Sequence, residues 1–306
     1  MTRSLEDLRT SVRTRRRKYW RAATNGIELL RKRSWPDCAP ASEEPGRVVA
    51  ITVSYNTVDL TRQLLYSLFA TGVVDALDEL IVVDNRSRDG SLDYLRAMSR
   101  RGLITLIENR WPPYHGPGLN RAMSRLARRP DACTIEYVWI LDSDVVVLRP
   151  DALADALRVA RTTGAAIVGA KLYSMVIDPR TVWRRGLPPF EEQGHPADAL
   201  RKLVVESGGL TVDHPFADDG YLLHHRAGSM LSVRNMGLKH NATAEWIAER
   251  ALRGQPVELP DAFPGAGDPD SAYARFQREF DAAVGGSAPE AFAADLHAML
   301  VDPSTA

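Results

Sequence analysis

The chain has 306 residues, of which 44% are hydrophobic and 25% charged, so it is long enough and apolar enough to bury a sizeable core. Lys and Arg number 39, as do Asp and Glu, and this balance argues against a nucleic-acid-binding surface over the whole protein. The two cysteines, Cys38 and Cys133, are too few for a disulfide scaffold or a Cys-rich zinc site, and they suit a reducing compartment. No apolar run approaches about 18 residues and the N-terminus lacks the apolar centre of a secretory signal, so we expect a cytoplasmic protein.

Charge is concentrated at the two ends of the chain. Residues 1–33 hold eleven Lys or Arg and three acids, a net charge of +8, whereas residues 256–306 hold nine acids and two Arg, a net charge of −7. Three interpretations are open: two solvated helical faces, contact between the ends within a chain or across a homodimer, and a basic end resting peripherally on an anionic membrane. The first requires no partner and is the simplest.

The order of apolar runs predicts alternating strands and helices. Residues 3–33 have a helical pattern, and the proline-containing segment Ser34–Arg47 is predicted to be a linker. Asp59 is predicted to cap the first helix of the following region, and Pro150 and Gly164 are predicted to begin and end its fourth helix. Helical patterns separate five apolar runs of strand length: Val48–Tyr55, Leu80–Val83, Leu103–Ile107, Tyr137–Leu141 and Ala165–Gly169.

This alternation predicts an α/β fold. Strands joined by helices of ordinary length form right-handed crossovers and hence a mostly parallel sheet flanked by helices. The strands are apolar throughout rather than at alternate positions, which is typical of a sheet covered on both faces. Beyond about residue 172 the pattern loosens, with short strand-like pieces at Leu210–Val212 and Tyr221–Leu223 and helical patterns over 241–253 and 271–301.

Polar residues follow the predicted strands. Ser54 and Asn56 end the first, Asp84 ends the second, and Asp142 and Asp144 end the fourth. Ligands of open parallel sheets bind beyond the carboxyl ends of the strands, so we expect a binding site here. A single aspartate can equally form a turn, and a surface Asp-x-Asp turn is the simple alternative for the pair.

The aspartate pair follows a wholly apolar strand, which favours a metal site. Residues i and i+2 of an extended segment point the same way, so Asp142 and Asp144 would repel each other without a cation between them. Mg²⁺ or Mn²⁺, bound through oxygens with phosphate oxygens completing the shell, fits such a pair.

Other nucleotide and hydrolase motifs are absent. There is no G-x-x-x-x-G-K-[ST] phosphate loop, no G-x-G-x-x-G after the first strand, and no G-x-S-x-G nucleophile elbow. The His115-Gly116-Pro117-Gly118 segment follows no clean strand and lacks a third glycine. His224 and His225 have no His or Cys partner at zinc-ligand spacing.

Four segments in order resemble family 2 glycosyltransferases of the GT-A fold. They are VVAITVSYNTVDLTRQLLYSL, LIVVDNRSRDGSLDYL, GPGLNRAM and YVWILDSDVVVLRPDAL. The resemblance covers residues 47–172 well and 173–235 loosely. It implies a catalytic domain over 47–240 and covers neither end of the chain. Charge and residue pattern predict a basic N-terminal extension and linker over 1–46 and an acidic helical extension over 241–306. The catalytic domain would comprise a nucleotide-binding half (47–145) and an acceptor half (146–240).

The resemblance also implies roles for individual residues. The nucleotide base and ribose would be bound by Ser54, Asn56 and Asp84. The sugar-diphosphate would lie near Asn120 and Arg121. The metal would be bound by Asp142, Asp144 and His224, with Asp142 facing either the ribose or the metal. For His224 the alternatives are a phosphate ligand and a packed or surface histidine, and Lys171 is either a phosphate contact or a solvated strand end.

The second half of the chain departs from the family pattern. The usual Glu-Asp pair before a helix is missing, so we predict Asp219 as the base that activates the acceptor hydroxyl, with Asp218 as the second choice and Glu191 and Glu192 as remaining candidates. The Q-x-x-R-W motif and membrane helices of processive synthases are absent too. We therefore expect transfer of a single sugar from a nucleotide-diphosphate sugar to an acceptor hydroxyl, with the inversion that the family implies. The alternatives are a non-catalytic nucleotide-sugar or carbohydrate-binding protein on the same fold and, less favoured, a nucleotidyltransferase.

Overall fold

The computed structural model describes residue 23 and residues 26–38, 45–110, 114–169, 173–191 and 197–224. The first 22 residues of the basic end, the acidic end, the helices expected beyond 240, and Lys171, Glu192 and His225 lie outside the described residues. The predicted contact between the two charged ends therefore remains a prediction, as does the division into domains.

Within the described residues, nine strands form two sheets. Seven strands, in the order β3-β2-β1-β4-β7-β6-β8, make the central sheet, and β5 pairs with β9 in a separate antiparallel ribbon. The strands are β1 (Arg47–Ser54), β2 (Glu79–Asp84), β3 (Thr105–Glu108), β4 (Ile135–Asp142), β5 (Val145–Val147), β6 (Ile167–Val168), β7 (Ser174–Ile177), β8 (Thr211–Val212) and β9 (Leu222–His224).

The mostly parallel sheet is confirmed, with one addition. Strands β3, β2, β1 and β4 run parallel, and β6 and β8 are parallel to each other. Strand β7 lies antiparallel between β4 and β6 and was not predicted. Its four residues, Ser174–Ile177, are too few for periodicity to distinguish them from a loop.

Helices cover both faces of the sheet. They are α1 (Val58–Ala70), α2 (Ser91–Arg100), α3 (His115–Leu126), α4 (Ala152–Thr163), α5 (Pro179–Val182) and α6 (Asp198–Glu206). Gly164 ends α4 in the left-handed conformation, as predicted. The prediction for Asp59 was wrong, because α1 already begins at Val58, whose amide donates to Asp89 Oδ2 at 2.9 Å. The first turn is thus capped from a distant loop rather than by its own sequence.

The two faces of the sheet bury separate hydrophobic clusters. Along β4, Trp139 and Leu141 pack on one face and Val138 and Ile140 on the other, and all four are fully buried. This arrangement confirms the expectation from the continuous apolar strands.

Residues 26–38 pack against the domain. Residues 34–38, which were predicted to begin a linker, are therefore part of the packed structure. Trp35 is buried, its amide donates to the Trp183 carbonyl at 2.9 Å, and Trp183 Nε1 donates to the Arg33 carbonyl at 2.7 Å. Cys38 and Cys133 form a disulfide just before β4. A single bridge is no scaffold, but its presence does not support the expectation of a reducing compartment, which remains a prediction.

Candidate functional site

Three potential metal ligands meet where β4 ends and the β5–β9 ribbon begins. In the ribbon Val145 pairs with His224, so His224 lies beside Asp144. One ligand atom from each of Asp142, Asp144 and His224 falls within 4.8 Å of the others, and His224 Nε2 is 3.5 Å from Asp144 Oδ1. The pairing of two strands nearly 80 positions apart therefore assembles the cluster that the sequence suggested.

The electrostatics of this cluster favour a bound cation. Burial raises the pKa of Asp142, His115 and His224 oppose that rise, and the charge of Asp144 adds to it. Asp144 is almost completely buried, with 2% of its side chain exposed. Two carboxylates this close and this shielded from water are costly to ionise together unless a positive charge lies between them.

His115 lies on the other side of Asp142. Its Nε2 is 3.4 Å from Asp142 Oδ1, and within the described part of the chain neither of these buried atoms has a hydrogen-bond partner. The position of His115 at the start of α3 is fixed from behind, because Asn85 Nδ2 donates to the carbonyl of the preceding Tyr114 at 2.9 Å. Gly116 permits this packing, since a Cβ there would lie 1.7 Å from the Glu191 carbonyl oxygen.

A buried cluster of hydroxyl groups supports the aspartate pair. Ser143 Oγ, between the two aspartates, is 3.3 Å from Thr57 Oγ1, which is 3.1 Å from Thr61 Oγ1. Ser54 Oγ completes the cluster at 3.0 Å from Thr61 Oγ1 and is fully buried. Ser54 was predicted to contact the nucleotide; its burial and its bonds to other hydroxyls give that prediction no support.

Asp84 is a better candidate for ligand contact. It ends β2 directly beside Ser54, with 1% of its surface exposed, and Oδ1 accepts a hydrogen bond from the Ser87 amide at 3.0 Å. Oδ2 is buried with no hydrogen-bond partner among the described residues, and burial raises the pKa of this carboxyl. An unsatisfied carboxylate oxygen at the carboxyl edge of the sheet is a site for a donor group of a ligand.

Asn56 ties two loops of this edge together. Its amide donates to Ser87 Oγ at 3.0 Å, and its Oδ1 accepts from the Arg88 amide at 2.8 Å. Both Asn56 (φ 51°) and Arg86 (φ 67°) have left-handed backbones, a strain that cross-linked loops can maintain. The predicted role of Asn56 in nucleotide binding remains a prediction, and in this structure its Oδ1 has a structural partner.

Asn120 and Arg121 lie apart from the metal cluster. Asn120 accepts from the Phe190 amide at 2.8 Å and donates to the Phe190 carbonyl at 3.0 Å and to Glu28 Oε2 at 3.1 Å. Arg121 is exposed. Their predicted contact with the sugar-diphosphate is thus not supported by this arrangement, in which Asn120 joins α3 to the N-terminal segment.

The three described candidates for the base differ in position. Asp218 and Asp219 lie in the turn before β9, at the end opposite His224, and the Asp219 carbonyl is 3.4 Å from Arg149 Nη1. Burial raises the pKa of Tyr173 and the nearby charge of Asp218 raises it further; the Tyr173 ring stacks on His224 with centroids 4.7 Å apart. Glu191 lies beside Gly116 at the start of α3.

His115 is the site residue that sequence reasoning missed. The glycine-rich segment that begins at His115 lacks the third glycine of a dinucleotide motif, so that motif does not identify His115. A signal was present, because a histidine at the N-terminus of a helix that follows a parallel strand lies at the ligand-binding edge.

The family profile described as Glycosyl transferase family 2 matches residues 49–214, which is 166 of the 306 residues. The chain therefore belongs to this family. It is a glycosyltransferase of the GT-A fold, as the four segments predicted.

Solved structures with a similar fold include a mannosyltransferase from Pyrobaculum calidifontis, PcManGT, in complex with GDP-Man and Mn²⁺. It is 19% identical, with a TM-score of 0.48, and the match covers 94% of this chain and 92% of that one. Glucosyl-3-phosphoglycerate synthase from Mycobacterium tuberculosis, in complex with phosphoglyceric acid, is 15% identical with a TM-score of 0.42 over 61% of this chain and 81% of that chain. No curated protein sequence matches the chain significantly.

Proposed function

We propose that this protein transfers a single sugar from a nucleotide-diphosphate sugar to an acceptor hydroxyl in a divalent-metal-dependent reaction. The observation that carries the proposal is the convergence of Asp142, Asp144 and His224 within 4.8 Å at the carboxyl edge of the sheet of a family 2 glycosyltransferase. The donor sugar, its nucleotide and the acceptor are left unassigned.

The donor set fits a divalent cation. Two carboxylate oxygens and one imidazole nitrogen leave coordination positions for two phosphate oxygens of the donor and for water. Imidazole is a softer ligand than Mg²⁺ usually takes, so Mn²⁺ is the better match. When bound, the cation acts as a Lewis acid that neutralises the charge developing on the departing diphosphate.

The remaining groups of the edge would orient the donor. Asp84 Oδ2 accepts a hydrogen bond from the nucleotide base, since it has no partner of its own in the described region. His115 Nε2 lies 3.4 Å from Asp142 Oδ1; it would donate a hydrogen bond to this oxygen and so orient the other carboxylate oxygen of Asp142 toward the cation. His115 thus acts as a positioning residue rather than as a metal ligand.

Inversion requires a carboxylate that removes the proton of the acceptor hydroxyl. We propose that the aspartates before β9 provide it. The sequence favoured Asp219; the closeness of Asp218 to Tyr173, which stacks on His224, supports Asp218 instead. Asp218→Asn should lower kcat by about two orders of magnitude with unchanged nucleotide affinity, while Asp219→Asn and Glu191→Gln should retain most activity. Loss of activity only in Glu191→Gln would move the base to the start of α3.

The function itself is tested with purified full-length protein and a panel of nucleotide sugars. Release of nucleoside diphosphate in the presence of Mn²⁺ and its loss on chelation are expected for at least one donor. Binding of a nucleotide sugar without any release, across a broad range of acceptors, would instead support a non-catalytic binding protein.

A further inference from the structure

Exposed arginines are concentrated on a surface formed by the N-terminal segment and α3. Residues 26–33 lie along α3, as the Glu28–Asn120 contact and the 3.3 Å hydrogen bond from the Arg33 amide to Ser124 Oγ show. We call this the arginine surface; its exposed members are Leu29, Leu30, Arg31, Arg33, Arg121, Arg125 and Arg128.

Several arginines elsewhere in the described part of the chain are held by carboxylates. Arg96 with Glu108, Arg161 with Glu136 and Arg149 with Asp151 form bidentate contacts. On the arginine surface, by contrast, Arg33, Arg125 and Arg128 have no carboxylate within ion-pair distance in the ranges that the structure describes. Arg121 acts on the buried carboxyl of Glu28, where it is one of the charges that lower the pKa against the effect of burial. Among the described residues, the charges of Arg33, Arg125 and Arg128 are therefore not neutralised by an ion pair and can interact with an external anion.

Two of the five exposed large hydrophobic residues of the described chain lie in the middle of these arginines. Leu29 is 58% and Leu30 is 87% exposed, and the next residue is Arg31, half-exposed and 4.0 Å from Glu28. Leucines that project among basic residues are typical of surfaces that insert apolar side chains between anionic lipid headgroups. A nucleic acid or an acidic peptide would account for the arginines but not for the exposed leucines.

The contacts of the segment also make the surface rigid. Lys32 Nζ donates to the carbonyls of Arg184 and Leu187, and its ammonium lies 4.5 Å from the centre of the Trp183 ring. Burial lowers the pKa of Lys32 to about 8, so this lysine contributes to packing while its neighbours Arg31 and Arg33 face outward. The orientation of Leu29 and Leu30 is thus fixed by buried partners on both sides of them.

We propose that the arginine surface is a docking site for a bilayer containing anionic phospholipid. Helix α3 begins at His115, beside Asp142, and Arg121 follows six residues later, about 9 Å along the helix axis. Docking would therefore hold the metal cluster close to the headgroup region. This inference stands independently of the proposed donor chemistry.

The test is sedimentation of the full-length protein with vesicles of phosphatidylcholine alone and of phosphatidylcholine mixed with phosphatidylglycerol. The wild-type protein should bind only the mixed vesicles, and less at high salt. Arg121→Gln/Arg125→Gln should weaken binding by about 25-fold, since each arginine near an anionic surface contributes about fivefold. Leu29→Ser/Leu30→Ser should weaken it by about tenfold even at low salt.

Matched controls separate this surface from general effects. Arg100→Gln/Arg101→Gln removes two charges at the end of α2, and Leu203→Ser/Val205→Ser removes the exposed apolar pair of α6; both should bind like the wild type. Asp144→Ala should also bind normally, so failure of the proposed metal site would not affect this result.

The proposal is overturned if Arg121→Gln/Arg125→Gln and Leu29→Ser/Leu30→Ser both bind the mixed vesicles like the wild type. It is also overturned if these variants bind normally and only deletion of residues 1–22 abolishes binding. Equal binding to vesicles of phosphatidylcholine alone would overturn it too, because the arginines would then have no role. The decisive variant is Leu29→Ser/Leu30→Ser, because these side chains are 58% and 87% exposed and their replacement should leave the melting temperature unchanged.

Discussion

Two polar clusters contact α3, one at its first residue and one near its middle, and they differ in how many of their buried atoms have hydrogen-bond partners among the described residues. In the cluster of Glu28, Asn120 and Phe190, every polar atom of the Asn120 amide is used. In the cluster of His115, Asp142, Asp144 and His224, His115 Nε2 and Asp142 Oδ1 lie 3.4 Å apart, and neither of these buried atoms has a hydrogen-bond partner among the described residues. We call the first the finished cluster, because its amide is fully bonded, and the second the unfinished cluster, because it retains buried polar atoms without partners in the described residues.

The difference shows that a polar residue at a ligand-binding edge is not by itself a ligand-binding residue. Ser54 and Asn120 lie at the expected places in the chain, yet their side chains are occupied by other parts of the protein. Asp84 and Asp142 retain buried oxygens without partners in the described regions. Because leaving such atoms unsatisfied costs stability, their persistence is the stronger indication of function.

Loss of His224 should have the largest effect on the unfinished cluster. His224→Ala removes a proposed metal ligand, and the affinity for Mn²⁺ in the presence of a nucleoside diphosphate should fall by about 100-fold, the upper end of the loss seen when even an outer-shell group is removed. Free Mn²⁺ is measured by electron paramagnetic resonance. The matched control is His214→Gln. His214 lies outside the cluster, where its Nε2 is 2.9 Å from Asp155 Oδ2, so its replacement should change the melting temperature but not the Mn²⁺ affinity. Equal losses in both variants would indicate general damage rather than a ligand.

Asn120→Ala should affect the finished cluster and leave the other unchanged. The substitution leaves the Phe190 backbone and the Glu28 carboxyl buried without their partner, which should cost about 2 kcal/mol and lower Tm by about 5 °C. Mn²⁺ affinity should stay within about twofold, a difference of under 0.5 kcal/mol. A large loss of metal or nucleotide affinity with an unchanged melting temperature would instead support the prediction that Asn120 contacts the sugar-diphosphate.

Asp84→Asn should weaken nucleotide binding and stabilise the fold. Removal of the buried acceptor oxygen should cost about tenfold in nucleoside-diphosphate affinity, or about 1.4 kcal/mol. Because burial raises the pKa of Asp84 in the folded state, the stability it contributes is present at low pH and is lost as pH rises through that pKa; at pH 7 the neutral amide should therefore raise Tm.

Asp89 provides the opposite case for comparison. Burial opposes its ionisation, but hydrogen bonds from Ser91 and from the Val58 amide outweigh burial and lower its pKa. Its contribution to stability is therefore present above the unfolded pKa and lost as pH falls, so Asp89→Asn should lower Tm at pH 7. If both amides shift Tm in the same direction, the contrast between the two carboxyls is incorrect.

Glu28→Gln should have the smallest effect, confined to stability. Burial raises the pKa of Glu28 and the hydrogen bond from Asn120 lowers it in part. At pH 7.5 the ionised Glu28 carboxylate therefore destabilises the folded state relative to its protonated form. Glu28→Gln, which places a neutral amide at this position, should raise Tm at pH 7.5 by about 2 °C. Near pH 4, where the wild-type group is protonated, the two proteins should melt together. A difference that is constant with pH would assign the effect to shape rather than to charge.

The sequence predicted the scaffold well because the central strands are long and apolar. Val48–Tyr55 and Tyr137–Leu141 correspond to β1 and β4 within a few residues, and the two aspartates at the end of β4 were recognised from chemistry alone. Strand β7 was missed, because it is too short to show a periodic pattern. The start of α1 was misplaced, because it depends on a hydrogen bond from Val58 to Asp89, which lies 31 residues away.

The hydrogen-bond partners of the candidate site residues could not be predicted from the sequence. The bonds that occupy Asn120 come from residues 28 and 190, and those that occupy Ser54 come from Thr57 and Thr61. Long-range pairing also brings His224 to Asp144, which the sequence could suggest only through family resemblance. Contacts between distant segments carry no local pattern, so they become visible only in the folded chain.

Calorimetric titration of a nucleoside diphosphate into Asp144→Ala, with and without Mn²⁺, tests the metal site most directly. Asp144 is nearly fully buried, lies 3.5 Å from His224 and faces Asp142 across the proposed cation. The wild type, and the exposed-carboxylate control Asp151→Ala, should bind the nucleotide much more tightly with Mn²⁺ than without it. Asp144→Ala should lose that difference while melting normally. If Asp144→Ala keeps the full Mn²⁺-dependent gain in affinity, the cation is bound elsewhere and the proposed site is wrong.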